Sequence, residues 1–200
     1  MFKHLFTFGC LGLLGLALYF MGDRRSTALP VDRKSLSPEQ NSSGHSAHQP
    51  TDQDFTWKVE RVSDGDTIAV TNNVDKLKIR FACMDAPEKK QPLGMDSKSA
   101  LQGLIDQGGG KVALNIRDTD RYGRKVAEVW VQVGGQPMLV QEKMLQQGYA
   151  MVYHQYIADC QSSTVAIAAE GLAKSQRLGV WATPNYQPPW EYRKEQRGSK

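Results

Sequence analysis

Internal repeats are absent from the sequence, cysteine is scarce, and charge of neither sign dominates. Three cysteines occur among 200 residues, and the formal net charge at pH 7 is only +4. A chain of this length can bury a hydrophobic core without disulfide or metal cross-links, so scarce cysteine does not argue against a folded domain. The small basic excess is compatible with nucleic acid or an anionic lipid surface and is diagnostic of neither. Composition therefore indicates one ordinary domain with additional segments and leaves its function open.

Residues 1–22 predict a membrane anchor or a signal segment. Residues 5–22 form an uncharged, mostly apolar run of 18 residues. As a helix this run would span about 27 Å, close to the thickness of the hydrocarbon core of a bilayer. No convincing small-x-small cleavage site lies directly after Phe20, and we therefore favour an uncleaved anchor over a cleaved signal peptide. The membrane is the partner expected for this segment.

The charges that flank this segment bear on its orientation. Lys3 precedes the apolar run, whereas four basic residues follow it: Arg24, Arg25, Arg33 and Lys34. The positive-inside rule applied to these charges does not favour export. Single N-terminal spans behind a short basic tail nevertheless commonly place the following domain outside. We expect a membrane-anchored or secreted protein whose folded domain is extracytoplasmic, in the periplasm.

Three further segments follow the apolar run. Residues 23–54 predict a disordered polar linker, because they contain Pro, Ser and Gln but almost no large apolar side chains that could form a core. Residues 55–184 have the alternating and periodic apolar patterns of a folded domain. Residues 185–200 are interpreted as a polar C-terminal tail.

The apolar patterns of the domain predict an α+β fold. Five segments alternate like strands: FTWKVERV, DTIAVTN, KLKIRFAC, KVALNIRD and KVAEVWVQV. Helices are expected near residues 97–107, 138–148 and 164–179, the first of them between the third and fourth strands. This is the order of an OB-type Greek-key barrel. We therefore predict a five-stranded OB-fold β-barrel with three α-helices, preceded by the N-terminal hydrophobic segment.

Two short segments carry acidic residues at predicted strand ends. In RVSDGDTIAV the Asp-Gly pair predicts a hairpin turn, which would leave Asp66 at the start of the next strand. In KIRFACMDAPEKKQP, Asp85 and Glu88 follow a strand that contains Arg80. Arg80 and Asp85 are separated by an odd number of residues, so a regular strand would point them to opposite faces. A shared site therefore requires a bend or bulge between them.

A third segment, RDTDRYGRKVAEVW, places Arg121 and Arg124 on either side of a predicted turn. A guanidinium group suits a phosphodiester because it can donate two parallel hydrogen bonds and stays charged. Each of the three segments alone is also compatible with an ordinary solvated turn.

Together the three segments supply the groups that phosphodiester hydrolysis requires. Asp66 and Asp85 could hold a hard cation through oxygen. Arg80 and Arg124 could clamp a phosphate from two sides. Glu88 could orient or deprotonate a water molecule.

Five segments occur in an order and at a spacing that match one known family: SDGDT, IRFACMDAPE, TDRYGR, QQGYAMVYHQY and LGVW. Over about residues 55–182 the chain thereby resembles the staphylococcal (micrococcal) nuclease family. The resemblance implies a calcium-dependent endonuclease that hydrolyses phosphodiester bonds of DNA and RNA, cleaves the 5′ P–O bond and leaves 3′-phosphate ends. It implies the same OB barrel with three helices. We expect the catalytic domain to be monomeric.

The resemblance also implies roles for individual residues. The Ca²⁺ ligands would be two carboxylates and one main-chain carbonyl, those of Asp66, Asp85 and Ala86. The catalytic residues would be two arginines and a candidate general base, which are Arg80, Arg124 and Glu88. The phosphate of the nucleotide would be contacted by Arg121 and Tyr122. An aromatic ring would lie against the nucleotide, and Tyr153, Tyr156 or both could supply it.

A non-catalytic OB-fold module that binds nucleic acid without cutting it is the competing hypothesis. Such a module could lose Arg80, Glu88 or Arg124 and keep its binding groove. All three residues are present, which favours the enzyme.

Two of the cysteines suggest a disulfide near the same site. Cys83 lies two residues before Asp85, and Cys160 follows the tyrosine-rich segment. A bond between them would close a long loop and would imply an oxidising compartment. Two unrelated thiols are the alternative, because sequence does not show whether the two residues meet.

Overall fold

A computed structural model describes residues 49–198 of the chain. The predicted N-terminal anchor and most of the predicted linker lie outside these residues. Within them, no helix combines the length and apolar character that a membrane crossing requires. The end of the predicted linker is ordered on the domain, because Asp52–Asp54 form a 3₁₀ turn and Asp52 Oδ1 accepts a 2.5 Å hydrogen bond from Gln132 Nε2.

Eight strands and four α-helices follow one another along the described residues. The strands are β1 (Trp57–Asp64), β2 (Thr67–Thr71), β3 (Lys76–Phe81), β4 (Met84–Asp85), β5 (Lys111–Thr119), β6 (Lys125–Val133), β7 (Gln136–Leu139) and β8 (Met151–Val152). The helices are α1 (Gly94–Gln107), α2 (Val140–Gln146), α3 (Ser163–Ser175) and α4 (Pro189–Gly198).

Five of these strands close a β-barrel. Strand β2 pairs antiparallel with β1 and β3, and β5 pairs antiparallel with β1 and β6. The ring closes where β3 and β6 run parallel, with Ile79 opposite Lys125 and Phe81 opposite Ala127. The predicted α+β fold with a five-stranded barrel is thereby confirmed. The short β7 continues the sheet beyond β6, while β4 and β8 form a separate two-stranded sheet.

The helix expected over residues 138–148 is shorter than predicted. Met138 and Leu139 belong to strand β7, where they lie opposite Val131 and Trp130 of β6, and helix α2 begins only at the next residue. The apolar residues here satisfy both periodicities, and the pairing with β6 decides in favour of the strand.

The C-terminal residues also differ from their interpretation as a polar tail, because residues 189–198 form helix α4. Pro189 occupies its first position, where a missing backbone N–H carries no penalty. The rest of the helix is polar and mostly exposed, so periodicity alone gives little sign of it. Helix α4 is a fourth helix in addition to the three expected.

A hydrophobic core fills the barrel and continues beneath the helices. Its fully buried members come from strands and helices alike: Ile68, Ile79, Phe81, Leu101, Ile105, Met144 and Leu145. Gln141 is one of the buried polar side chains in this region. Gln141 of α2 donates from Nε2 to Ala127 O at 3.0 Å and accepts at Oε1 from Val129 N at 3.1 Å. It thereby supplies β6 with the hydrogen bonds that a neighbouring strand would make.

The Gln141→Leu variant is expected to lose about 1–3 kcal/mol of unfolding free energy, because the amide of Val129 would stay buried without an acceptor. Urea denaturation measures this loss. The matched control is Gln107→Leu at the exposed end of α1, which should change stability by less than about 0.5 kcal/mol. Equal stability of the two variants would contradict the role given to Gln141.

Candidate active site

An ion cluster lies where the β1–β2 turn meets the end of β3. Arg80 donates from Nη1 to Asp66 Oδ1 and from Nη2 to Asp85 Oδ1. Both carboxylates are buried, that of Asp85 completely, and the Arg80 side chain is 15% exposed. The structure thus brings together one residue from the first acidic segment and two from the second.

The Asp-Gly turn that carries Asp66 is pressed against two other segments. A Cβ atom on Gly65 would collide with Ser97 Oγ of α1 and would lie 2.8 Å from Ala86 Cβ. On its other side the turn is fixed to the end of β3, since Phe81 N donates to Asp66 O at 2.9 Å. Glycine is therefore required here by close approach, and the turn both connects two strands and fixes the position of Asp66.

A bend between β3 and β4 allows Arg80 and Asp85 to share one site despite their odd spacing. Cys83, in the bend, has a φ of +71°, a left-handed conformation that residues other than glycine rarely adopt. Its carbonyl accepts a 3.0 Å hydrogen bond from Tyr153 N. The chain thereby turns sharply enough to place Arg80 and Asp85 on the same side, although a regular strand would point them to opposite faces.

Burial dominates the electrostatics of Asp66. It raises the pKa of this carboxyl to about 7, while the guanidinium of Arg80 acts in the opposite direction. Asp66 Oδ2 accepts a 2.7 Å hydrogen bond from Ala86 N, and Oδ1 accepts one of 3.1 Å from Thr67 Oγ1. Against Arg80 alone, the two buried carboxylates leave negative charge in excess, and such a pocket attracts a further cation.

The donor set of this pocket fits a hard divalent cation. Asp66 and Asp85 offer buried carboxylate oxygens, and the hydrogen bond from its amide holds Ala86 against Asp66. Glu88 adds a third carboxylate at the exposed edge, with its side chain 37% exposed. Carboxylate and carbonyl oxygens suit Ca²⁺ or Mg²⁺ rather than a soft metal. The residues expected to hold a metal are therefore chemically adequate for it.

The predicted arginine turn between β5 and β6 is organised around Asp120. Arg124 donates from Nε to Asp120 Oδ2 at 2.7 Å, and the hydrogen bonds from Arg124 and Tyr122 lower the pKa of Asp120 against the effect of burial. Arg121 and Arg124 lie 5.2 and 5.6 Å from the centre of the exposed Tyr122 ring. Within the described residues, the hydrogen bonds of the Arg124 side chain all go to Asp120, so the structure does not join this arginine to Asp66 or Asp85.

The tyrosines that the sequence left as alternatives lie in one aromatic cluster. The rings of Tyr153 and Tyr156 meet edge to face with centroids 4.9 Å apart. Tyr153 is also stacked on Trp190 of α4, at 5.4 Å and an interplanar angle of 7°. The backbone amide of Tyr153 donates a hydrogen bond to the carbonyl of Cys83. This hydrogen bond attaches the cluster to the bend that leads to Asp85.

The structure joins Cys83 and Cys160 by a disulfide, with their Cα atoms 5.4 Å apart. Both sulfurs lie beside the fully buried Glu128, which accepts 2.8 Å hydrogen bonds from the backbone amide and the hydroxyl of Ser162. The bond therefore ties the bend before Asp85 to the segment that precedes α3.

Sequence reasoning missed two residues of the site, because both belong to the segment interpreted as a tail. Arg193 donates from Nη2 to Asp85 Oδ2 at 2.6 Å and from Nη1 to Glu88 Oε1 at 2.9 Å. Trp190 covers Tyr153. Two signals were available: the Pro-Pro pair that starts a helix, and a large aromatic residue in an otherwise polar stretch.

A closed OB-type barrel with two buried carboxylates and a largely buried arginine at the ends of its strands fits the nuclease that the sequence predicts. Comparison with known proteins agrees. The family model described as staphylococcal nuclease homologue matches residues 78–183. The relatives include "Protein ParB" of Escherichia coli, which is 34% identical over 73% of this chain and 83% of its own length. The "Micrococcal nuclease" of Shigella flexneri is 35% identical over 72% of this chain and 84% of its own length. An "Uncharacterized endonuclease" of Escherichia coli O157:H7 is 36% identical over 70% of this chain and 86% of its own length.

The chain belongs to the staphylococcal nuclease family. The family resemblance stated from the five sequence segments is confirmed, as is the prediction that the protein is a nuclease.

Reduction of the disulfide is expected to lower the unfolding free energy by about 4 kcal/mol, because the bond closes a loop with a sequence separation of 77. Urea denaturation with and without a reductant measures the change, and the double variant Cys83→Ser, Cys160→Ser should match the reduced protein. Cys10→Ser serves as the control and should keep the full effect. Two free thiols at Cys83 and Cys160 in protein isolated from its own compartment would contradict the bond.

Proposed function

We propose that this nuclease is a calcium-dependent endonuclease that cleaves DNA and RNA and leaves 3′-phosphate ends. The observation that carries the proposal is the convergence of two buried aspartates on Arg80 at the end of β3. Burying two carboxylates costs free energy. A role in binding a cation beside the phosphate of the substrate would account for that cost.

The metal-binding part of the proposal concerns Asp66, Asp85 and the carbonyl of Ala86. These would hold Ca²⁺, which accepts six to eight oxygen ligands in flexible geometry. When bound, the ion would neutralise charge on the scissile phosphate and polarise it. Gly65 and the bend at Cys83 fix the backbone on either side of these residues, so the donors are pre-positioned by the fold.

Glu88 is proposed to act as the general base on the attacking water. Its carboxylate lies at the solvent-exposed edge of the site while Asp66 and Asp85 are buried. A base must reach both water and substrate, and this position allows both. The backbone of Glu88 is held by a 3.2 Å hydrogen bond from its amide to Gln91 Oε1.

Arg80 is proposed to stabilise the negative charge that develops on the phosphate. Burial alone would lower the pKa of this guanidinium, but Asp66 and Asp85 raise it above its usual value, so the group stays charged. A fixed, partly desolvated guanidinium stabilises developing charge more effectively than one in water. Arg124, Arg121 and Tyr122 would bind the phosphate from the β5–β6 turn.

The aromatic cluster supports unpaired nucleic acid as the preferred substrate. The rings of Tyr153 and Tyr156 lie beside the bend at Cys83, and Tyr156 is half exposed. Stacking on such rings is available only to bases that have left the duplex. Single strands and A·T-rich duplex that opens readily should therefore be cut fastest.

An extracytoplasmic, membrane-attached location is part of the proposal. The disulfide between Cys83 and Cys160 supports an oxidising compartment. The apolar residues 5–22 support attachment to the membrane.

Arg80→Ala and Glu88→Gln are each expected to lower turnover of single-stranded DNA at least about 10²-fold, the usual contribution of one catalytic group. Digestion assays in calcium and in a chelator measure the effect. Matched controls on β1 are Arg61→Ala and Glu60→Gln, both exposed, which should keep normal activity. Binding without calcium-dependent cleavage by the unaltered protein would favour the non-catalytic OB-fold module instead.

The ends of the products provide a separate test. Fragments that carry a 3′-phosphate cannot be extended by a DNA polymerase until a phosphatase has removed it. We expect extension only after phosphatase treatment. Direct extension of untreated fragments would overturn the proposed position of bond cleavage while leaving the nuclease assignment intact.

A further inference from the structure

Helix α4 places a cation on the carboxylates proposed to bind metal. The guanidinium of Arg193 lies across Asp85, with Nη1–Oδ1 and Nη2–Oδ2 distances of 2.9 and 2.6 Å. Its Nη1 also donates to Glu88 Oε1 at 2.9 Å. The Asp85 and Glu88 carboxylates raise the pKa of Arg193 above its usual value although burial acts against them. The guanidinium therefore sits as a fixed positive charge between two acidic residues of the site.

The same helix covers the aromatic surface of the site. The Trp190 indole lies parallel to the Tyr153 ring, with centroids 5.4 Å apart. This is the offset-stacked geometry that an aromatic base would adopt on a tyrosine. While Trp190 is in this position, that face of Tyr153 is not available to a nucleotide.

Two hydrogen bonds hold the segment before α4 against the loop after Glu88. Gln91 Nε2 donates to Gln187 O at 2.6 Å. Tyr186 donates its hydroxyl to Pro92 O at 2.6 Å, and burial raises the pKa of Tyr186 to about 12. The helix is thus aligned with the site from three separate points: the carboxylates, the tyrosine and this loop.

We propose that α4 is an intramolecular competitor of the active site, in which Arg193 takes the place of the metal ion and Trp190 that of a substrate base. The inference rests on the proposed function, because that function identifies the displaced ligands as a calcium ion and a base of the nucleic acid. Calcium and nucleic acid bind productively only when the helix has left the site, so the docked chain is autoinhibited.

Competition follows from the geometry of Arg193 more directly than a role in substrate binding. Its terminal nitrogens cover both oxygens of the Asp85 carboxylate and one oxygen of Glu88. A divalent cation on Asp85 would need the same oxygens and would be repelled by the guanidinium at contact distance.

The docked helix is constructed so that it can be released. Its inward side chains are few, namely Pro189, Trp190, Tyr192 and Arg193, and the remaining residues are exposed. A helix of this length is only marginally stable by itself in water, so its contacts with the site hold it in place. The short connection from the 3₁₀ turn Gly179–Ala182 keeps the released helix at high local concentration.

Calcium affinity is the direct test. If only molecules with the helix released bind Ca²⁺, the apparent affinity equals the intrinsic affinity multiplied by the fraction of released molecules. We expect Arg193→Ala to bind Ca²⁺ at least about 10-fold more tightly than the unaltered full-length protein, as measured by isothermal titration calorimetry. The matched control is Arg197→Ala, an exposed arginine on the same helix, which should leave the affinity unchanged.

Trp190→Ala supplies a second, independent test, because it weakens docking without touching a carboxylate. It should raise the calcium affinity in the same direction as Arg193→Ala. In the unaltered protein, Ca²⁺ should also accelerate trypsin cleavage after Arg193 and Lys194, as mapped by mass spectrometry. Slower or unchanged cleavage would contradict release of the helix.

The outcomes separate this inference from the proposed function. Unchanged or weaker calcium binding by Arg193→Ala, with normal calcium-dependent cleavage by the unaltered protein, overturns the competitor and leaves the nuclease proposal standing. Weaker nucleic-acid binding by Arg193→Ala at unchanged calcium affinity makes Arg193 a substrate contact and also overturns it. Absence of both calcium binding and cleavage in every variant overturns the two proposals together.

Discussion

The buried pairing of Arg80 with Asp66 and Asp85 is the interaction on which the rest of the site depends. Two carboxylates within a barrel wall are strongly unfavourable unless cations compensate them, and one guanidinium offsets only half of their charge. The bend at Cys83, the glycine at the Asp-Gly turn and the recruitment of Arg193 are all consistent with this demand. The same excess of negative charge that makes the pocket suitable for a metal ion also attracts an arginine of the chain.

Barrel closure is what brings the parts of the site together. The parallel pairing of β3 with β6 sets Arg80 opposite Val126. Val126 lies two residues after Arg124 of the β5–β6 turn. The β1–β2 turn is hydrogen-bonded to the end of β3, and the disulfide fixes the following bend to the segment before α3. Residues from distant parts of the sequence therefore occupy one end of the barrel through main-chain pairing, before any side chain is considered.

How far the sequence predicts this arrangement depends on the range of the signal. The strands and the acidic turn are encoded locally, by alternation and by the Asp-Gly pair. The odd spacing of Arg80 and Asp85 requires a bend only if the two residues share a site, and it does not show that they do. Apolar periodicity does not reveal helix α4, because the helix is polar and its contacts with the site come from residues far earlier in the chain. The choice between Tyr153 and Tyr156 also stayed open, since two tyrosines of one short segment differ only in their tertiary contacts.

Strand β6 has a further consequence, which concerns aggregation. Its sequence, Lys-Val-Ala-Glu-Val-Trp-Val-Gln-Val, is rich in residues that favour intermolecular β-pairing. One edge of the strand is covered by β5, and the other is divided between β3 at its start and β7 at its end. The side chain of Gln141 bonds to the backbone in the gap between these two partners. Once the barrel has closed, β6 presents no free edge to another copy of the chain, so its tendency to aggregate is confined to the time before closure.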